Sequence, residues 1–213
     1  MRKRIIILAL LGVIAFAVIG WVIFLAAGGR AFYVPSGSMS NTVVPGDTIV
    51  GRKYAGEIKR GQLVVIQYPD DPVYYLGRVV GLPNETVEVR DKFVYVDGRA
   101  LDEERVMVKP DMGEGKELQE ISTEGTGPYR VFYTSGPEAE ENRSDTSADF
   151  AGPLRLPPDS FFVMGDNRDN SADSRYRGPV TREFIWGDVF LISYSTTIDT
   201  NELRWNRILK RIR

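Results

Sequence analysis

The sequence predicts one membrane-spanning helix followed by an all-β domain of several small, coiled antiparallel sheets. Three observations lead there. Residues 5–27, IIILALLGVIAFAVIGWVIFLAA, carry no charge. The rest of the chain breaks into short runs rich in Val, Ile and Tyr, separated by turn-forming Pro, Gly, Asn and Asp. After residue 28 no amphipathic helical repeat of ordinary length occurs.

The apolar segment comes first. At 1.5 Å per residue its 23 residues reach roughly 35 Å, enough for a hydrocarbon core of about 30 Å. A cleavable signal peptide has a shorter apolar core, about 7–15 residues, so a retained anchor is the expectation. The small residues Ala26, Ala27 and Gly28 keep a removed signal sequence as the alternative. Arg2, Lys3 and Arg4 make residues 1–4 a basic segment that stays in the cytoplasm. A single pass then places all that follows on the outer side of the membrane. Trp21 near the outer end suits the interface or a simple lipid contact equally.

Strands are expected over 47–52, 63–68, 74–82, 86–90 and 93–96, then over 129–133, 160–164 and 189–195. Pro45-Gly46, Pro69 to Pro72, Pro83-Asn84 and Asp97-Gly98 close or separate them, and Arg90-Asp91-Lys92 reads as a hairpin turn. The exported domain extends over 28–201, with a variable insert at about 101–158 in which a single strand is clear. Residues 137–149 are almost purely polar and acidic and read as a mobile surface loop. Asn142-Arg143-Ser144 there matches a glycosylation pattern, to which little weight attaches. The basic, amphipathic tail 202–213 can lie along a membrane surface, or be an end packed on the domain through Trp205.

Composition excludes several chemistries. With 213 residues, 43% hydrophobic and 26% charged, the chain suits one domain plus an appendage. It has no cysteine and no histidine. That removes disulfides, thiolate nucleophiles, a Ser-His-Asp triad and imidazole zinc sites. Removing the eight basic and one acidic residue of the two ends from the totals of 27 and 29 leaves 19 basic and 28 acidic residues, a net charge of −9. So acidic a domain is a poor nucleic-acid partner, whereas the two basic ends suit anionic lipid headgroups.

Two segments can carry chemistry. Pro35-Ser36-Gly37-Ser38-Met39 follows closely on the apolar stretch and is not the G-x-S-x-G elbow of α/β-hydrolases. Without histidine a serine needs another base, and Ser-Lys pairing is the known route. Gly165-Asp166-Asn167-Arg168-Asp169-Asn170-Ser171-Ala172-Asp173-Ser174-Arg175 packs arginines, aspartates, asparagines and serines behind an apolar strand. Such a loop can form a dense hydrogen-bond network, or simply a rigid turn; its spacing does not match an EF-hand calcium loop.

Taken with the apolar segment in front and Gly77-Arg78-Val79-Val80-Gly81-Leu82-Pro83 between them, these motifs resemble bacterial type I signal peptidases. The resemblance covers the anchor and most of the exported domain. It implies a membrane-anchored serine endopeptidase of the bacterial inner membrane that removes signal peptides from exported preproteins after small residues. Its implied partners are preprotein signal peptides and the lipid bilayer, with association with the export machinery as a further expectation; no metal or organic cofactor is implied.

By the resemblance Ser38 matches the nucleophile, and Ser36 matches the oxyanion-stabilising hydroxyl beside the Ser38 N–H. Gly37 permits the turn between them. Ser171 matches the orienter of the base. Arg78 and Asp166 match one structural ion pair, and Asp173 and Arg175 a second. Phe32, Val34, Val43, Tyr75 and Leu76 match the substrate pockets, with core packing as the alternative for each.

Two departures stand out. Asn41 follows Met39-Ser40 where the family often has proline. Gly77 stands where the family keeps the lysine that serves as general base. Losing a positioned base costs about 10²–10⁴-fold or more. Lys53, Lys59, Lys92, Lys109 and Lys116 remain in the exported domain, none with an evident claim to the role. The alternative function is therefore a non-catalytic relative that binds signal-peptide-like segments as an added strand. A self-cleaving Ser-Lys repressor shares the logic but would need a DNA-binding domain in place of the anchor.

Overall fold

The computed structural model describes residues 2–26, 28–53, 56–109, 117–134 and 153–212. Residues 135–150, which include the expected acidic loop and its Asn-Arg-Ser triplet, lie outside them, as do Ala27 and Lys116. The N-terminal segment forms helix α1, Arg2–Ala26. Ile6, Leu10, Val13 and Phe16 on it are exposed. Among the described residues no helix is long and apolar enough to cross a membrane. The helical backbone of α1 runs for 25 residues, and the span expected from the sequence rests on residue hydrophobicity alone.

Strands follow as β1 (Gly29–Tyr33), β2 (Asp47–Lys53), β3 (Leu63–Gln67), β4 (Tyr74–Gly81), β5 (Thr86–Arg90), β6 (Phe93–Val96) and β7 (Arg99–Ala100). The second half holds β8 (Glu104–Val108), β9 (Glu120–Glu124), β10 (Arg130–Thr134), β11 (Leu154–Arg155), β12 (Ser160–Met164) and β13 (Val180–Thr181). The long β14 (Ile185–Ser195) and short β15 (Lys210–Arg211) complete the set, and Ser174–Arg177 forms a one-turn helix, α2.

One sheet of eight strands runs β1-β2-β14-β3-β4-β12-β13, with β15 on β14. Two smaller sheets, β10-β8-β9 and β11-β5-β6-β7, flank it. The structure is thus mostly β with curled sheets. It differs from the expected set of small antiparallel sheets in having one large sheet and a parallel pair, β8 with β10.

The core explains the large sheet. In β3 Leu63 and Val65 face one apolar cluster, with Val34, Met39, Ile49 and Ile192. Val64 and Ile66 face another, with Val79, Val163 and Ile185. A strand buried on both faces reads as a continuous apolar run rather than an alternation. Register shifts along β14 strengthen its twist. As a result β1 and β4, with three strands between them in sheet order, meet face to face: the Phe32 and Tyr74 rings lie 5.1 Å apart.

Turn chemistry behaves as the residues dictate. Asp91 and Lys92 (φ 49° and 63°) join β5 to β6, and Asp97 and Gly98 (φ 48° and 77°) join β6 to β7. Positive φ at both central positions matches the twist of a two-residue hairpin.

Two expectations need correction. The 101–158 insert holds β8, β9, β10 and β11 rather than one strand. The tail is not packed through Trp205, which is 75% exposed. Arg207 holds it instead, buried against Asp47 and Glu117, while Ile212 joins the core.

Candidate active site

The turn carrying Ser38 leaves β1 and is closed by Ser40 N–H donating to Gly37 C=O and Val43 N–H to Met39 C=O. Met39 is buried, and its sulfur accepts from the Asp166 N–H at 3.4 Å. Asn167 fastens the same turn twice: its N–H donates to the Ser38 carbonyl at 3.0 Å and its Nδ2 to the Gly37 carbonyl at 2.9 Å. The two motifs, far apart in sequence, therefore form one unit.

Ser36 Oγ and Ser38 Oγ are 3.4 Å apart. Among the described residues the Ser38 backbone N–H donates to no acceptor, so it is free to meet a developing negative charge. A Cβ on Gly37 would meet only ordinary contacts, at 3.5 Å and beyond, and Gly37 does not adopt positive φ. The turn thus does not demand glycine there, contrary to the expectation. Gly165 is the demanding position: a Cβ would stand 2.3 Å from Ser171 Oγ and 2.6 Å from the Ser38 carbonyl oxygen. It is the close approach at Gly165 that brings Ser171 beside Ser38.

A cavity of about 680 Å³ opens over Ser36, Ser38, Gly77 and Ser171. Phe32, Val34, Tyr75 and Leu76 line it, but Val43 does not; Val43 is fully buried in the core beneath. Tyr68, Tyr74, Val163, Arg30 and Arg177 also line it, none singled out in the sequence. Burial raises the Tyr68 phenol above its ordinary value, with Arg177 partly opposing.

Two strand edges face this cavity. Among the described residues β1 ends the large sheet and is paired on one side only. β12 pairs with β4 at Arg78, Val79 and Gly81, leaving residues 74–77 without a partner on that side among the described residues. Unpaired N–H and C=O groups of this kind can receive an extended peptide.

Around the cavity, ion pairs brace the loops. Arg78 Nε and Nη2 grip Asp166 at 2.8 and 2.6 Å, and Thr42 Oγ1 donates to Asp166 Oδ2 at 2.6 Å. Burial works against the Arg78 charge, but Asp166 outweighs it and holds the guanidinium above its ordinary value. Asp173 accepts from Arg175 Nε and Nη2, both at 2.8 Å, and from the Gly165 N–H. Ser174 Oγ accepts from the Val163 N–H, tying α2 to β12.

The insert, expected to be variable, also braces the site. Asn41, the departure from the usual proline, donates through Nδ2 to the Leu118 carbonyl at 2.9 Å and accepts from the Leu118 N–H at 2.6 Å. Its amide copies a backbone pairing, which proline could not do. The Phe132 N–H donates to the Asp166 carbonyl at 2.7 Å. Asn41 stands out in the sequence, but its partner does not, because Leu118 lies in another segment.

Among the described residues no lysine lines the cavity. Lys92 is held by Asp169 at 3.0 Å. Lys53 borders a separate hollow with Trp186. Val163 Cγ1 lies 2.6 Å from where a Gly77 Cβ would stand, so the methyl has moved into the space a side chain there would use. The arrangement offers a hydroxyl, an unengaged N–H and a peptide-sized groove, without an amine beside them.

Comparison with known proteins places the chain in a family. A model of the family described as "Signal peptidase, peptidase S26" matches residues 3–194. Signal peptidase I of Pseudomonas fluorescens is 34% identical over 162 residues, covering 68% of this chain and 54% of that protein. Signal peptidase I S of Bacillus subtilis is 34% identical over 143 residues, covering 67% of this chain and 62% of that protein. This chain thus spans about half to two thirds of the length of these curated relatives. A solved signal peptidase I from Enterococcus faecalis covers 63% of this chain and 98% of its own at 23% identity, with a TM-score of 0.36, too loose a likeness to add to the fold described above. Two serine-bearing segments locked together over a groove, in a chain matched almost end to end by the family model, lead to one conclusion: the chain belongs to the signal peptidase family, peptidase S26.

Proposed function

We propose that the chain is a membrane-anchored serine endopeptidase of signal peptidase I type, which removes signal peptides from exported preproteins after small residues and turns over slowly because Gly77 replaces the base. The observation that carries this reading is Ser38 at the end of a groove bounded by two unpaired strand edges, with Ser36 Oγ 3.4 Å away. A preprotein segment lies extended between β1 and residues 74–77. Ser38 Oγ attacks the carbonyl of the small residue at the cleavage site, and its proton leaves to solvent or to a distant base. The Ser36 hydroxyl and the Ser38 N–H stabilise the oxyanion, the C–N bond breaks as the nitrogen takes a proton from solvent, and water then hydrolyses the ester, returning the proton to Ser38 Oγ. Residues 5–27 anchor the chain with 1–4 in the cytoplasm, so the groove works on the outer face beside the bilayer.

The absence of a cavity-lining lysine among the described residues favours a second reading, a relative that binds signal peptides without cutting them. One experiment separates the two. Full-length protein in detergent is incubated with a preprotein, alone and as Gly77→Lys. A rise of about 10²-fold or more supports the peptidase reading. Because Val163 intrudes on the space, the Gly77→Lys/Val163→Ala pair is assayed in parallel. Folded variants that bind the preprotein and stay at the background rate leave the binding reading. A fast parent that keeps its rate without its exported-domain lysines would show that no lysine base is needed.

A further inference from the structure

We infer that Arg177 makes the groove selective for extended peptides carrying an aspartate or glutamate close to the scissile bond. The inference rests on reading the groove as a peptide site, and adds to it a preference that small apolar subsites would not produce.

Arg177, the last residue of α2, lines the cavity and is exposed. Its guanidinium lies over the Tyr75 ring at 4.4 Å and reaches Tyr68 at 5.8 Å. Its Nη2 donates to the Tyr75 hydroxyl at 3.3 Å. Among the described residues it pairs with no carboxylate, whereas Arg78, Arg168, Arg175 and Arg207 each do. A guanidinium steadied on an aromatic face keeps its planar fork of donors for a two-point grip on a carboxylate.

The surroundings do not neutralise it. Asp173 is the one carboxylate lining the cavity among the described residues, and it is taken by Arg175 and the Gly165 N–H. Asp71 accepts from the Tyr75 hydroxyl at 2.6 Å and feels the Arg177 charge, yet among the described residues the two form no ion pair. Arg30, which also lines the cavity, adds positive charge: it lies over Tyr74 at 5.2 Å and among the described residues pairs with no carboxylate.

Position along β4 sets the range. Tyr75 and Gly77 are two residues apart on one strand and face the same side, about 6.6–6.8 Å from each other. A carboxylate held over Tyr75 therefore belongs to a peptide residue within one or two positions of the bond offered to Ser38.

The test measures binding, so it does not depend on turnover. Full-length Ser38→Ala protein in detergent is titrated with fluorescent peptides bearing alanine at the first and third positions before the cleavage site. One position at a time, from the second before the site to the third after it, carries Asp or Asn. The Asp peptide is expected to bind about fivefold more tightly at one or two of these positions, less so at high salt. Adding Arg177→Gln should bring the ratio to within twofold of one, by weakening the Asp peptide more than the Asn peptide. Equal affinities at every position, or a ratio that survives Arg177→Gln or vanishes only with Arg30→Gln, would overturn the inference. If the Asn peptides do not bind either, the groove is not a peptide site and the functional reading falls with it.

Discussion

Arg168 of the loop after β12 is buried against Glu103, which stands immediately before β8; their side chains are 0% and 3% exposed. Nη1 donates to Glu103 Oε2 at 2.9 Å, Nη2 to Oε1, and the Tyr129 hydroxyl donates to the same carboxylate at 3.0 Å. Burial works against the Arg168 charge, and Glu103 outweighs it, holding the guanidinium well above its ordinary value. Glu103→Ala should therefore cost about 3–5 kcal/mol in urea unfolding, because it strands a buried cation. Glu103→Leu with Arg168→Met should recover most of that loss. A single variant with parental stability would show that the pair does not tie the insert to the loop.

Gly165→Ala forces a methyl to within 2.3 Å of Ser171 Oγ and 2.6 Å of the Ser38 carbonyl. The neighbours must part. Stability should fall by about 1–3 kcal/mol, and binding of an Ala-x-Ala peptide should weaken far more than stability does. Unchanged peptide affinity would mean that Ser38 and Ser171 need not be in register.

Arg207 joins the tail to the segment bearing Ser38, with Nη2 on Asp47 Oδ2 at 2.7 Å and on the Thr42 carbonyl at 3.1 Å. Asp47 is fully buried. Arg207→Leu should lower stability by about 3–5 kcal/mol by leaving that carboxylate with weaker partners. Amide exchange over residues 39–47 should speed up in the same variant. Slow exchange there, despite the substitution, would argue that the tail is only an appendage.

The Tyr129 phenol is pushed far up, first by burial and then by the Glu103 carboxylate. Its neutral form is favoured in the folded state. The stabilisation is complete below the ordinary tyrosine value of about 10 and is lost as pH rises through the elevated folded value. Ultraviolet titration should show a phenol that ionises only as the chain unfolds. Tyr129→Phe should remove that late step.

Local pattern was enough wherever a strand's partner is its neighbour. β5 and β6 occupy the expected residues, since Thr86 to Val96 alternates and its turn holds residues that accept positive φ. β1 escaped notice because Gly29 and Arg30 break the alternation, and what orders it is pairing with β2. β9 is exposed at every residue, so no apolar face announced it. The Arg78–Asp166 pair spans 88 residues, and the Asn41–Leu118 pair 77. Residue types mark such groups as unusual without stating their partners, except where the family resemblance did so for Arg78.

The sequence by itself determined the uncharged apolar N-terminal segment, the β character, the exclusion of histidine and cysteine chemistry, and the two serine-bearing motifs, because these depend on residue type and short spacing. Only the tertiary structure decided that Val43 is core while Phe32 faces the groove, that the insert and the tail brace the Ser38 turn, and that Arg177 stands over Tyr75 with no carboxylate partner among the described residues. The physical reason is that curling one eight-stranded sheet brings distant strands and loops to a single cavity, and contacts made across such a fold leave no period in the chain.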